Sequence, residues 1–141
     1  MNQRRHILKG GAIAFICAIA VASFGLTTLA YAGNSANSPY AYNVTANGGT
    51  VFTNDHRAKT TDSSIGVTPS TTGYYVSPNA YIPQSGTAIH CGNRTYVNWT
   101  GTEKSIVNYI NERGYSYAKL AFDSGGSKSV TCRGIWRPDT R

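Results

Sequence analysis

The chain has 141 residues, with 13 Lys and Arg against 6 Asp and Glu, a formal net charge of +7 and only 13% charged side chains. That length, once a leader is set aside, suits one domain and excludes two. The positive excess is modest and scattered, which excludes the dense basic footprint of a nucleic-acid-binding domain.

The chain opens on Arg4-Arg5-His6-Ile7-Leu8-Lys9, runs through an apolar stretch at 11–30 and reaches Ala30-Tyr31-Ala32. A basic start, an apolar middle and a small-x-small end predict a secretory signal peptide over 1–32, cut after Ala32. The general secretory route is preferred. The order Arg4-Arg5-x-Ile7-Leu8-Lys9 also fits a twin-arginine signal, with Gln3 and Ile7 departing from its usual residues. The expected product is extracellular and has no stable membrane anchor after cleavage. It comprises 109 residues, and because the leader removes Arg4, Arg5 and Lys9 but no acid, its net charge is +4. Such a charge favours solubility and weak attraction to anionic surface polymers. Cys17 leaves with the leader. Cys91 and Cys132 remain as an even pair in an oxidising compartment, and a disulfide is expected between them. It would span 41 residues and stabilise the fold by about 4 kcal/mol.

Residues 33–39 are small and polar without periodicity and read as a flexible leader. A single secreted domain is expected over 40–141. Tyr40-Ala41-Tyr42-Asn43-Val44-Thr45-Ala46 is a strand, and Asn47-Gly48-Gly49 turns it into Thr50-Val51-Phe52-Thr53 as a hairpin. A short edge strand is expected over 63–68, where β-branched residues suit a pleated surface. Tyr74-Tyr75-Val76 is bounded by Pro69, Pro78 and Pro83, which places it at an edge or in a loop. Residues 93–100 alternate, with Thr95, Val97 and Trp99 on one face. Over 103–113 two readings compete. A capping pattern from Thr100 to Glu103 with Ile106, Val107 and Ile110 suggests a short helix. The turn Asn111-Glu112-Arg113-Gly114 suggests instead a hairpin of 105–110 with 115–122, and the all-strand surroundings favour it. Strands at 115–122 and 129–136, joined by Asp123-Ser124-Gly125-Gly126-Ser127, form a second expected hairpin. The expected fold class is all-β: a small antiparallel β-sandwich or open barrel with one disulfide.

No residues have the spacing that a catalytic chemistry requires. Cys91 follows His90, and Arg133 follows Cys132, so a cysteine hydrolase or transpeptidase is formally available. An exported pair of cysteines serves better as a disulfide. No G-x-S-x-G elbow occurs. The carboxylates Asp55, Asp62, Glu103, Glu112, Asp123 and Asp139 fall in turns or flanks, and no metal-ligand spacing or phosphate loop is present. No catalytic residue, metal or cofactor is therefore assigned. Tyrosines remain, because their rings pack while their hydroxyls stay wet. Trp99, Trp136 and Tyr117 suit the core. Tyr74, Tyr75 and Tyr81, set among prolines and polar loops, are candidates for a surface-binding face, together with Arg133 and Arg137 near the end.

The strand at 115–122 and the closing Gly134-x-Trp136-x-Pro138-Asp139 resemble a loose group of small secreted Gram-positive proteins. These end in a Gly-x-Trp-Ser-Pro-Asp type of tail, and some are labelled bacteriocin-like; here Arg137 stands in place of the Ser. The resemblance implies a secreted β-domain and transfers no catalytic residue. The function expected from all of this is a non-enzymatic secreted domain. Its partner would be cell-wall glycan or an anionic surface polymer at the cell envelope, or the surface of a host or neighbouring cell. A bacteriocin-like or toxin-like factor is the alternative.

Overall fold

Alternation of large and small side chains carries most of the strands. In β1 (Ser38–Val44) Tyr40 and Val44 are buried while Pro39, Ala41 and Asn43 point to solvent, the period-two pattern of a half-buried strand. The computed structural model describes residues 34–140, so the expected signal peptide and Gly33 lie outside the described residues. Nine further strands follow: β2 (Thr50–Phe52), β3 (Arg57–Ala58), β4 (Ile65–Pro69), β5 (Tyr74–Ile82), β6 (Thr87–His90), β7 (Thr95–Val97), β8 (Lys104–Ile106), β9 (Tyr117–Asp123) and β10 (Val130–Arg137). They form two antiparallel sheets. The first has the order β1-β10-β4-β8; the second has β2-β9-β5-β6, with β3 also on β9 and β7 also on β5. The all-β expectation holds, and no helix occurs among the described residues.

The core lies between the sheets. Tyr40 of the first sheet stacks on Phe122 of the second at 4.7 Å between ring centroids, and its hydroxyl meets that of Tyr74 at 2.8 Å. Burial, and then this shared hydrogen bond, pushes the Tyr40 phenol well above its ordinary pKa. Trp136, Leu120, Val76 and Ile65 complete this core. Gly134 lies opposite Tyr40, and a Cβ there would fall 2.5 Å from the Tyr40 hydroxyl and 2.5 Å from the Thr68 carbonyl oxygen. Only glycine leaves that space for the buried phenol.

Several expected pairings are corrected. Residues 40–46 and 50–53 make no hairpin, because β1 pairs with β10 while β2 pairs with β9. The strands at the end of the chain do not pair either, since β9 and β10 belong to different sheets. Both Gly-rich loops are corners that carry the chain from one sheet to the other. They run side by side, with the Asn47 amide donating to the Gly126 carbonyl at 2.9 Å. Asn47 and Gly48 adopt left-handed backbone, with φ of 60° and 95°. Around 103–113 the strand reading holds only for β8, which pairs with β4 rather than with 115–122. The left-handed Gly114 does close a turn.

The segment expected at an edge is the centre of the second sheet. β5 pairs with β9 along one side and with β6 and β7 along the other, although it contains Pro78. Pro78 survives there because β7 covers Tyr74–Val76 and β6 covers Asn79–Ile82, so its missing N–H faces the gap between them. Its carbonyl accepts the Cys91 amide at 3.0 Å across that gap. Toward β9 it stands opposite Leu120, whose own amide and carbonyl turn away to Thr53. This is a non-hydrogen-bonded pair, and the ladder loses nothing. β4, also expected as an edge, lies inside the first sheet between β10 and β8.

The expected disulfide is not formed: Cys91 and Cys132 are both buried, with free thiols. Cys91 is fixed beside Pro78. Cys132 lies toward the Tyr74 end of β5, where it adds to the cost of ionising Tyr74 and is itself influenced by Asp123. Tyr74 and Pro78 are four residues apart, which is about 13 Å of strand. The cysteines therefore occupy different levels of the core. Residues 34–39, expected as a flexible leader, are tied down by Asn34, which donates from its amide to the Asp139 carboxylate at 2.7 Å and from its side chain to the Ala58 carbonyl.

Candidate functional site

Inward positions of β5 are Tyr74, Val76 and Ala80, all in the core; the intervening Tyr75, Ser77, Asn79 and Tyr81 therefore face outward. Cross-strand neighbours share a face, and the register builds the outer surface row by row. Tyr75 lies between Tyr96 on β7 and Asp123 on β9. Ser77 is opposite Ala121, which in turn is opposite Phe52. Asn79 lies between His90 on β6 and Lys119 on β9. Tyr81 follows, near Tyr117. Ser77, Asn79 and Ala121 are buried, so they form a low floor between taller side chains, polar at Ser77 and Asn79 and apolar at Ala121.

The two ends of this floor are built alike and charged differently. At one end the Arg94 guanidinium lies 3.6 Å from the centre of the Tyr75 ring and makes a two-pronged contact with the Asp123 carboxylate. That carboxylate raises the Arg94 pKa, and the ion pair leaves this end without net charge. At the other end the Lys119 ammonium sits 4.5 Å from the Tyr81 ring centre. His56 stacks on Tyr81 at 4.7 Å and meets the edge of Tyr117 at 5.2 Å. Lys119 has no ion-pair partner among the described residues. The rings of this face left open to solvent are Tyr96, 49% exposed, and Tyr117, 37% exposed, at its two ends, with Phe52, 39% exposed, on the flank beside Ala121.

The five candidate residues separate. Tyr74 is fully buried and is corrected to a core residue. Tyr75 and Tyr81 do share a face, six residues apart, about 20 Å along the strand; both support cations rather than standing free. Arg133 is exposed on the first sheet, beside an open cleft of about 590 Å³ lined by Tyr40, Pro69, Gly101 and Ile135. Arg137 is a brace: its guanidinium pairs with Glu103 across Gly66, whose missing side chain leaves the room. Trp136 is buried as expected and Trp99 packs on the core from its margin, but Tyr117 belongs to the outer face. Tyr96 and Lys119 carry no mark of a binding role in the sequence, and the histidines His56 and His90 suggest there only a partner for a cysteine. For His90, Tyr96 and Lys119 the signal lies in the outward positions of alternating strands, which become meaningful only with the register; His56 lies just before β3.

The closing Gly-x-Trp-x-Pro-Asp motif has a structural use. Asp139 is fully buried with Lys59, Nζ to Oδ1 at 2.6 Å. The ammonium also donates to the carbonyls of Thr61 and Ser63, which uses all three of its protons. The carboxylate further accepts from the amides of Asn34, Thr60 and Thr61 and from both threonine hydroxyls. Burial alone would raise the Asp139 pKa, but Lys59 and these donors outweigh it and hold the group well below the usual carboxylate range. Both thiols are buried, and burial, helped by Asp123, pushes Cys132 up to about 12. No cluster of three His, Cys, Asp or Glu able to hold a metal occurs among the described residues.

Fold and face together define a class: a small two-sheet β-domain whose outer surface carries tyrosines, amides and cations on rigid strands. The chain belongs to the family described as a protein of unknown function (DUF2712), which it matches over residues 28–140. No curated protein and no solved structure matches it.

Proposed function

We propose that this is an exported, non-enzymatic binding domain of the cell envelope that holds an extended glycan on the outer face of β5 and β9. The observation that carries this reading is the pair of exposed rings, Tyr96 and Tyr117, at opposite ends of a floor made by Ser77, Asn79 and Ala121. Aromatic rings accept the C–H faces of sugars while hydroxyls and amides between them satisfy sugar oxygens. Strands hold these groups more precisely than loops would. Binding rather than catalysis is supported by the commitments of the reactive groups. Both thiols are buried, and Glu103, Asp123 and Asp139 are each engaged by a cation.

Export is tested by sequencing the protein recovered from culture medium, which should begin at Gly33. Binding is tested by co-sedimentation with purified cell wall. Wild type should pellet, and the double variant Tyr96→Ala, Tyr117→Ala should stay in solution while keeping its melting temperature. A wild type that stays in solution, or killing of related bacteria with no wall binding, would overturn the proposal in favour of a toxin.

A further inference from the structure

The two ends of the outer face differ in charge, and this asymmetry specifies the ligand further. Resting on the glycan-binding reading above, we infer that the Lys119 end is a subsite for a carboxylate carried by the glycan, while the Tyr75 end takes a neutral sugar. At the Tyr75 end the cation is already matched, Arg94 lying against Asp123. At the other end Lys119 stands over Tyr81 with no anion beside it. His90 and Asn79 occupy the same cross-strand row as Lys119. An ammonium with an imidazole in the same row offers charge and a directed donor to one planar anion, over a floor where the Asn79 amide is already held by the Ser77 carbonyl. Exposed Tyr117, at the edge of His56, supplies a ring against which the sugar bearing that anion can lie. A polyol phosphate polymer would match the charge but has no ring to stack on Tyr96 or Tyr117. The chemistry therefore favours a uronic-acid glycan.

The full secreted protein would be titrated calorimetrically with three probes: a hyaluronan hexasaccharide, a chitin hexasaccharide and poly(glycerol phosphate). The first two share an N-acetylated amino sugar and differ in the carboxylate. Hyaluronan should bind about tenfold more tightly than chitin, the scale of one charge-assisted hydrogen bond. Lys119→Gln should erase that difference by weakening hyaluronan binding far more than chitin binding, whereas Lys119→Arg should keep most of it. Half-molar salt should narrow the gap between the two sugars, because the contact is exposed to screening. Equal affinity for both sugars, a stronger preference for the phosphate polymer, no binding of either sugar, or a hyaluronan affinity untouched by Lys119→Gln would each overturn the carboxylate subsite. Loss of cell-wall binding in the Tyr96→Ala, Tyr117→Ala variant would still uphold the binding face in those cases. Wall binding untouched in that variant would remove the face as well.

Discussion

Asp139 shows how much one side chain can organise. An anion taken out of water needs both a counter-charge and enough donors, and removing one member of such a pair costs about 3–5 kcal/mol, because the partner stays buried and uncompensated. Asp139→Asn should therefore lower the melting temperature by roughly 12 °C or more, since 1 kcal/mol shifts a domain of this size by about 4–8 °C. The pH dependence has a defined sign. The folded-state pKa of Asp139 is depressed, so its stabilisation is complete above the unfolded carboxylate value near 3.9 and is lost as the pH falls below it. Stability measured by denaturant titration should drop below about pH 4 in the wild type and fall less steeply in Asp139→Asn. The cysteines give a second outcome at this scale. With free, buried thiols, a reductant should leave the melting temperature unchanged. Iodoacetamide at neutral pH should leave Cys91 and Cys132 unmodified until denaturant is added, as read by peptide mass spectrometry. A melting temperature that falls sharply under reductant would instead reveal a covalent bond.

Among the elements, β5 makes the clearest case for what a sequence does and does not display. Pro78 is tolerated because of where its nitrogen points. Ser77 points the other way, into the ladder with β9, where it stands opposite Ala121. Pro78→Ala should consequently cost about 1–2 kcal/mol, from a freer unfolded chain and the buried ring carbons lost beside Gly92. Ser77→Pro should cost about 3 kcal/mol or more, as a proline does where it removes an internal hydrogen bond; chemical denaturation of the two variants distinguishes these values. The alternation of large and small side chains in 40–46 and 115–122 was legible as strand, and so were the turns at Asn47 and Gly114. Pairing was not legible. A Gly-rich loop that reverses a hairpin and one that turns a corner between sheets use the same left-handed residues. Corner turning is decided by core contacts such as Tyr40 on Phe122, which lie far apart in the chain. The proposed binding face was half legible for the same reason. Tyr74 and Tyr75 are adjacent and alike, and only the register sends the first into the core and the second outside. Nothing near Lys59 in the sequence marks it as buried, because its anion lies 80 residues away.

For the whole molecule, the ends of the described chain converge on one point. β1 and β10 are paired along their full length, Asn34 donates to Asp139, and Thr140 donates to the Ser64 carbonyl at 2.9 Å. The groups that satisfy Asp139 come from Asn34 and from residues 59–63, so the tail fastens two stretches that have little secondary structure of their own. Removing residues 138–141 should therefore harm more than the four residues lost. Lys59 would remain in the protein interior without an anion, and the carbonyls of Thr61 and Ser63 cannot neutralise it. Water must then enter, loosening 34–38 and 58–63, and the β1 edge would fray because its first residue pairs with Trp136. Hydrogen exchange should show lost protection in those two stretches first. The β5–β9 ladder, fixed by core contacts remote from the tail, should keep its protection until global unfolding. Uniform loss of protection across all ten strands would mean that the sheets unfold as one unit and that the tail is only one contributor among many. Confined loss would show that the Gly-x-Trp-x-Pro-Asp ending is a latch on these two stretches, set apart from the outer face of β5 and β9.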